Sequence, residues 1–174
     1  MFNLYTYLQK FYVIVIVMKK TPCERCIAIS KSSGNQCRNM TCKYSPYCYV
    51  HRVVNISESS IPNSGLGVYA KEDLKKDNLV GRYTVGTQKL TLNQLPPLNQ
   101  RTHVWEKNKK LFYDASKTNS VAGKFNDCTP QTAKKIKCKN NAIINTAGNV
   151  RLKKDIKKNE EIFVSYGKEY WRNR

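Results

Sequence analysis

Five of the seven cysteines, Cys23, Cys26, Cys37, Cys42 and Cys48, fall between residues 23 and 48, and one of the two histidines, His51, follows at once. Cys26, Cys37 and Cys48 are separated by ten residues each, and two residues stand between Cys48 and His51. A Cys-x-x-His pair at a turn sets a thiolate and an imidazole on the same metal, and two more thiolates complete a tetrahedron. Ser32, Ser33, Gly34 and Asn35 supply the turn between the first two ligands. The segment holds too little apolar material to fold by burial alone, so a structural zinc ion would itself contribute folding free energy. An odd number of cysteines, clustered beside a histidine, points to metal more than to disulfides. Cys23 and Cys42 are spare, and either could replace Cys26; Cys128 and Cys138 lie far downstream.

These residues must be held by something, and the chain after Val53 shows what. Short β-type runs alternate there with turn residues: VVNIS, LGVYA, NLVGRYTVG, LFYDA, AIINT and EIFVSYG. The only helix-like pieces are Glu72–Lys75 and Leu90–Leu95, the latter stopped by Pro96 and Pro97. The pattern predicts a mostly-β domain of several small sheets over residues 53–171, preceded by the Cys/His module at 21–52. Gly65-Leu66-Gly67 offers bare backbone on which a ligand could lie, although such a pair alone often marks an ordinary turn.

At 174 residues the chain has no room for two large domains, and 40% hydrophobic residues exclude bulk disorder. Residues 1–20 carry an apolar run, Phe11–Met18, that is well short of the roughly 20 residues a membrane span needs. Its lysines follow the run rather than precede it, unlike a secretory signal. No stable membrane insertion is expected, and translation from Met18 would remove most of this segment. Lys+Arg number 31 against 12 Asp+Glu, a net charge of +19, which predicts attraction to nucleic acid or another polyanion. The Lys-rich stretches at 107–110, 134–139 and 153–158 are candidates for that contact, or simply solvated loops.

Four landmarks in register resemble the SET domain of lysine methyltransferases, over about Val53 to Trp171. The first is Gly65-Leu66-Gly67-Val68-Tyr69-Ala70; the second is Gly81-Arg82-Tyr83-Thr84-Val85-Gly86. The third runs from Phe112-Tyr113-Asp114-Ala115 to Phe125-Asn126-Asp127-Cys128-Thr129-Pro130. The fourth is Glu160-Glu161-Ile162-Phe163-Val164-Ser165-Tyr166-Gly167, followed by Tyr170-Trp171. Four positions depart from the family pattern: Asp127 stands for a histidine, Gly123 for an arginine, Gln131 for an asparagine and Asn159 for a glycine. The family's cysteine-rich post-SET cluster has no counterpart in the three residues after Trp171. Residues 26–51 also resemble the short Cys-x10-Cys-x10-Cys-x2-His zinc modules of large DNA virus proteins.

The resemblance implies a knot-like C-terminal segment and S-adenosylmethionine as methyl donor. It implies that Gly65, Leu66 and Gly67 hold the methionine end, that Asn126 and Asp127 hold the ribose and adenine side, and that Trp171 stacks on adenine or closes the core. Tyr166, with Tyr83, would be catalytic, and Tyr83 and Tyr113 would line the substrate channel. Cys26, Cys37, Cys48 and His51 would hold zinc. The substrate would be histone or nucleosome, in an intracellular setting that is nuclear or virus-associated. Few acids are at hand to receive a basic tail: Asp114, Glu160 and Glu161. Two competing readings are a catalytically inactive SET-like module binding nucleic acid or a protein partner, and a zinc-bearing nucleic-acid binder of unrelated β fold.

Overall fold

The computed structural model describes residues 20–172. Ten short strands form four antiparallel sheets, so the mostly-β expectation holds. Strands β1 (Glu24–Arg25) and β2 (Met40–Thr41) pair within the Cys/His segment. Strands β3 (Val54–Glu58) and β4 (Leu66–Ala70) form a hairpin in which Val54 faces Ala70 and Glu58 faces Leu66. Strand β5 (Leu79–Arg82) pairs with β10 (Asn149–Leu152), which pairs with β9 (Ala142–Ile144). In the last sheet β8 (Leu111–Asp114) lies between β6 (Gln88–Leu90) and β7 (Val104–Asn108). Two short helices complete the fold, α1 (Pro130–Ile136) and α2 (Lys168–Arg172).

β-branched and aliphatic residues on the inner faces of these strands, joined by three from the segment after β10, make one core: Val54, Val68, Val80, Val150, Leu152, Ile156, Ile162 and Val164 are all essentially buried. Burying each such side chain stabilises the fold by about 1.5–3 kcal/mol. Tyr44, from the Cys/His segment, belongs to the same core. That segment is fastened further by a Glu24–Arg82 ion pair and by the Val121 amide donating to the Lys43 carbonyl at 2.8 Å.

The run EIFVSYG joins no regular sheet. It is held from three directions instead: Ile162 N donates to Val68 O at 2.7 Å, Val164 N to Asn126 O at 2.9 Å, and Phe163 O accepts from Ala142 N at 3.0 Å. Its parallel bridges to Asn126 and Ala142 set it between the two ends of the 126–142 segment. Glu72–Lys75 is not a helix, because Leu74 exchanges amide and carbonyl bonds with Ile156 and the Asp73 carboxylate is taken by Lys157 and Lys158. Leu90–Leu95 reduces to one 3-10 turn at Leu92–Gln94, with the Gln94 side chain accepting from Thr91 N at 2.9 Å. The apolar run Phe11–Met18 lies outside the described residues, among which no helix is long and apolar enough to cross a membrane.

Candidate functional site

The Cys/His segment folds back on itself so that the Sγ atoms of Cys26, Cys37 and Cys48 and a ring nitrogen of His51 lie within 4.8 Å of one another. His51 Nδ1 is 3.4 Å from Cys48 Sγ and 3.7 Å from Cys26 Sγ. Burial raises the Cys48 thiol pKa, but hydrogen bonds from the His51 and Val50 amides, the Asn39 side chain and the His51 ring outweigh it and bring the thiol to about 6. Three sulfurs and one imidazole nitrogen, one of the thiols already poised as thiolate, make a donor set suited to a tetrahedral metal. Cys23 and Cys42 are not alternatives to Cys26, because they are joined in a disulfide; Cys128 and Cys138 form a second. Four of the seven cysteines are thus bridged, more than the clustering suggested, and the three left as thiols are the three in the cluster.

The turn between β3 and β4 carries Gly65, whose φ of +67° suits glycine, then Leu66 and Gly67. Beneath it lies the buried carboxylate of Glu161, which accepts from Ser59 Oγ at 2.8 Å, Ser60 N at 2.8 Å, the Ser60 hydroxyl at 2.5 Å, Tyr69 Oη at 3.0 Å and Asn126 Nδ2 at 3.3 Å. Burial, then the adjacent Glu161 charge, raises the Tyr69 phenol, which therefore stays protonated and donates. A Cβ at Gly67 would overlap that carboxylate, so the close approach of strand and acid requires glycine here. Asn126 ties the strand to the third motif by donating to Leu66 O at 3.1 Å.

A cavity of about 70 Å³ opens between the ends of β5, β7 and β9 and the start of α2, walled by Tyr83, Trp105, Phe125, Ile144, Tyr166 and Tyr170 among others. Tyr83 donates its hydroxyl to His103 O at 2.7 Å. Burial first, with the nearby Tyr166, Asp114 and Tyr170, raises its pKa, so this phenol is a neutral wall and not a base. Tyr113 is not in the wall: it packs behind Trp105, ring centroids 5.8 Å apart. A wider groove of about 560 Å³ shares Trp105, Ile144, Tyr166 and Tyr170 with the cavity and adds Arg101 and Glu106. The acids singled out in the sequence lie elsewhere. Glu161 is buried under the glycine strand, Glu160 pairs with Lys154, and Asp114 accepts from the Ser116 amide.

Tyr166 lines both the cavity and the wider groove. Its hydroxyl donates to Phe125 O at 2.6 Å, and its amide donates to Asp127 Oδ2 at 2.8 Å. Trp171 lies parallel to the Tyr166 ring, 6.2 Å away and 7° off, while Tyr170 meets both edge-on. Two networks result: Glu161 and Leu66 are joined through Asn126 beneath the glycine strand, and Tyr166 and Trp171 are joined through Asp127, the two meeting where Asn126 and Asp127 follow one another in the chain. Trp105, Phe125, Ile144 and Tyr170 escaped sequence reasoning, since each is an ordinary apolar or aromatic residue outside the motifs or unremarkable within them. Of these, Tyr170 alone had a signal, its place beside Trp171.

Residues 65–167 match the SET domain family. No curated protein matches the chain in sequence. Among solved structures, the fold is similar to the Chaetomium thermophilum Polycomb Repressive Complex 2 in an autoinhibited conformation bound to S-adenosylmethionine, at TM-score 0.52 and 19% identity. A humanized mutant of that complex bound to an inhibitor gives TM-score 0.53 and 20% identity. Each alignment covers 67% of this chain and 15% of the other, so this chain spans a small part of those proteins. A candidate histone methyltransferase from Plasmodium falciparum aligns over 69% of this chain and 97% of its own, with 22% identity and TM-score 0.44. From the glycine strand to the turn after Tyr166, the match takes in more than half of the 174 residues, and the chain belongs to the SET domain family.

Proposed function

We propose that this chain is an S-adenosylmethionine-dependent protein-lysine N-methyltransferase acting on histone or another chromatin protein, with a structural zinc ion in its Cys/His cluster. The observation that carries the reading is the small aromatic cavity lined by Tyr83, Trp105, Phe125, Tyr166 and Tyr170, with the Tyr166 hydroxyl fixed on Phe125 O and the next residue, Asn126, bonded to the glycine strand. The backbone of Gly65, Leu66 and Gly67 with Asn126 would hold the methionine end of the cofactor, and the main chain at Asp127 with the Trp171 face its nucleoside. Bound there, S-adenosylmethionine supplies the methyl group: the lysine nitrogen lone pair forms the N–C bond as the C–S bond breaks, its electrons leave with the thioether product, and the proton shed by the lysine goes to solvent.

The chain's own residues do the rest. Tyr83, Trp105 and Tyr170 strip water from the entering side chain, which favours its uncharged form. Tyr166 donates its hydroxyl hydrogen to Phe125 O, so the lone pairs of its oxygen would accept weak C–H···O contacts from a methyl group bound beside it and so orient that group. Alignment of this kind can supply roughly 7–11 kcal/mol of the barrier. The exposed lysines at 134–139 and 153–158 would add phosphate contacts on nucleosomal DNA without reading its sequence. Such a substrate puts the site of action in the nucleus or another chromatin-bearing compartment.

The test is transfer of labelled methyl to core histones and nucleosomes. Label on lysine is expected with the natural protein, falling about 100-fold or more in Tyr166→Phe and in Asn126→Ala. Absence of label, together with no calorimetric binding of S-adenosylmethionine, would overturn the reading in favour of an inactive SET-like module that binds nucleic acid or a protein partner.

A further inference from the structure

Asp127 stands where the family motif carries histidine, and its buried side chain is engaged from three segments. Oδ1 accepts from Asn140 Nδ2 at 2.7 Å; Oδ2 accepts from the Tyr166 amide at 2.8 Å and from the Trp171 indole at 2.9 Å. We infer that Asp127 is a positioning residue, whose carboxylate fixes the backbone of Tyr166 and the plane of Trp171 and so sets the end of the channel and the aromatic face beside it. The kinetic part of this inference rests on the methyltransferase reading; its structural part does not.

The chemistry of the three donors explains the residue. A neutral imidazole has one ring nitrogen able to accept, and an imidazolium has none, so histidine could satisfy one of these N–H groups at most. A carboxylate accepts all three. With Tyr166 held by its amide at Asp127 and by its hydroxyl at Phe125, both ends of the residue that would orient the methyl group are pinned. Trp171, on a helix of five residues, has in Asp127 the partner for its indole N–H. Loosening Asp127 would therefore reach Tyr166 and Trp171 together, and the first governs the chemical step while the second governs the nucleoside.

Asn140 supplies a way to test this without changing shape or net charge. Its Oδ1 accepts from the Cys128 amide at 2.8 Å, which turns its NH2 toward Asp127 and holds it there. In Asp127→Asn an NH2 group must face either the Asn140 NH2 or the N–H groups of Tyr166 and Trp171, leaving buried donors opposed. In Asn140→Asp two carboxylates meet. In the exchange Asp127→Asn with Asn140→Asp the pattern is whole again. The carboxamide oxygen then at position 127 accepts from Tyr166 and Trp171, and its NH2 donates to the new carboxylate at position 140, which still accepts from Cys128.

Four proteins, the natural chain, the two single variants and the exchange, would be compared by two readouts. The first is the Trp171 indole N–H resonance and its hydrogen exchange, assigned through Trp171→Phe. The second is kcat and the KM for S-adenosylmethionine in methyl transfer. The expected result is about tenfold faster indole exchange in each single variant, with kcat down and KM up about tenfold, and recovery to within about threefold in the exchange. Recovery in the exchange excludes a simple folding defect in either single variant. The inference is overturned if Asp127→Asn leaves both readouts unchanged, or if the exchange is no better than the single variants. If the natural chain transfers no methyl yet the indole signal is lost and rescued as described, the positioning role stands and the methyltransferase reading is what fails.

Discussion

Gly123 and Asn159 occupy positions where the family motif carries an arginine and a glycine, and each has a local cause. A Cβ at Gly123 would stand 2.7 Å from Ala115 O, so the 3-10 turn at Val121–Lys124 packs too closely against the end of β8 for any side chain. Asn159 has φ of +65°, the left-handed region where asparagine is among the best tolerated residues after glycine, and its amide donates to Ala70 O at 2.8 Å. Both departures are accommodations of backbone geometry. Gly123→Ala should therefore destabilise the protein by about 1–3 kcal/mol, whereas Asn159→Gly should stay within about 0.5 kcal/mol of the natural chain. Denaturant unfolding of the two variants measures both. A neutral Gly123→Ala would mean that the turn relaxes away from Ala115.

Between elements, the junction that matters is the one joining the β3–β4 hairpin to the segment at 161–166. Neither is a strand of a large sheet, and they are held by backbone bonds to β4 from the residues flanking Glu161 and by the Glu161 carboxylate, which gathers donors from Ser59, Ser60, Tyr69 and Asn126. In Glu161→Gln one of the two acceptor oxygens becomes a donor, facing hydroxyls and amides that already donate. A stability loss of about 1–3 kcal/mol is expected from groups left without an acceptor. Because the same donors shape the loop ahead of Gly65, affinity for S-adenosylmethionine should fall about tenfold as well. Thermal melting and calorimetric titration read the two effects separately. Unchanged affinity in a destabilised variant would confine Glu161 to a structural role.

Taken whole, the molecule does not separate cleanly into a Cys/His segment and a SET body. Tyr44 sits in the common core, Glu24 pairs with Arg82 on β5, and Lys43 O receives the Val121 amide. Removal of the metal would therefore be felt beyond the Cys/His cluster. One equivalent of zinc is expected by elemental analysis. Stripping it with a chelator, or replacing Cys48 by serine, should lower the melting temperature of the entire protein by about 10 °C in a single transition. Two separate transitions, with the upper one unmoved, would show instead that the segment merely rests on the body. Among the described residues Arg82 Nε is buried without a hydrogen-bond partner, and the Arg82 guanidinium is held by Glu24.

Much of this was legible in the order of residues. Spacing pointed to Cys37, Cys48 and His51 and, with Cys23 and Cys42 as alternatives, to Cys26, because a tetrahedral site built from one short segment leaves its signature in local intervals. Short apolar runs named five of the ten strands described, β3, β4, β5, β8 and β9, since a half-buried strand needs period two, and resemblance ordered the four motifs. Of the channel wall, the resemblance named Tyr83, and the rest was not legible. Trp105, Phe125, Ile144 and Tyr170 come from four separate stretches, and nothing in their types separates them from core residues; only the way the sheets meet makes them neighbours. Which cysteines pair, Cys23 with Cys42 and Cys128 with Cys138, depended likewise on which Cα atoms the fold brings within reach. The same holds for Asp127, whose replacement of histidine reads as a defect along the chain. Its meaning lies in three donors that arrive from residues 140, 166 and 171, a convergence that sequence intervals do not encode.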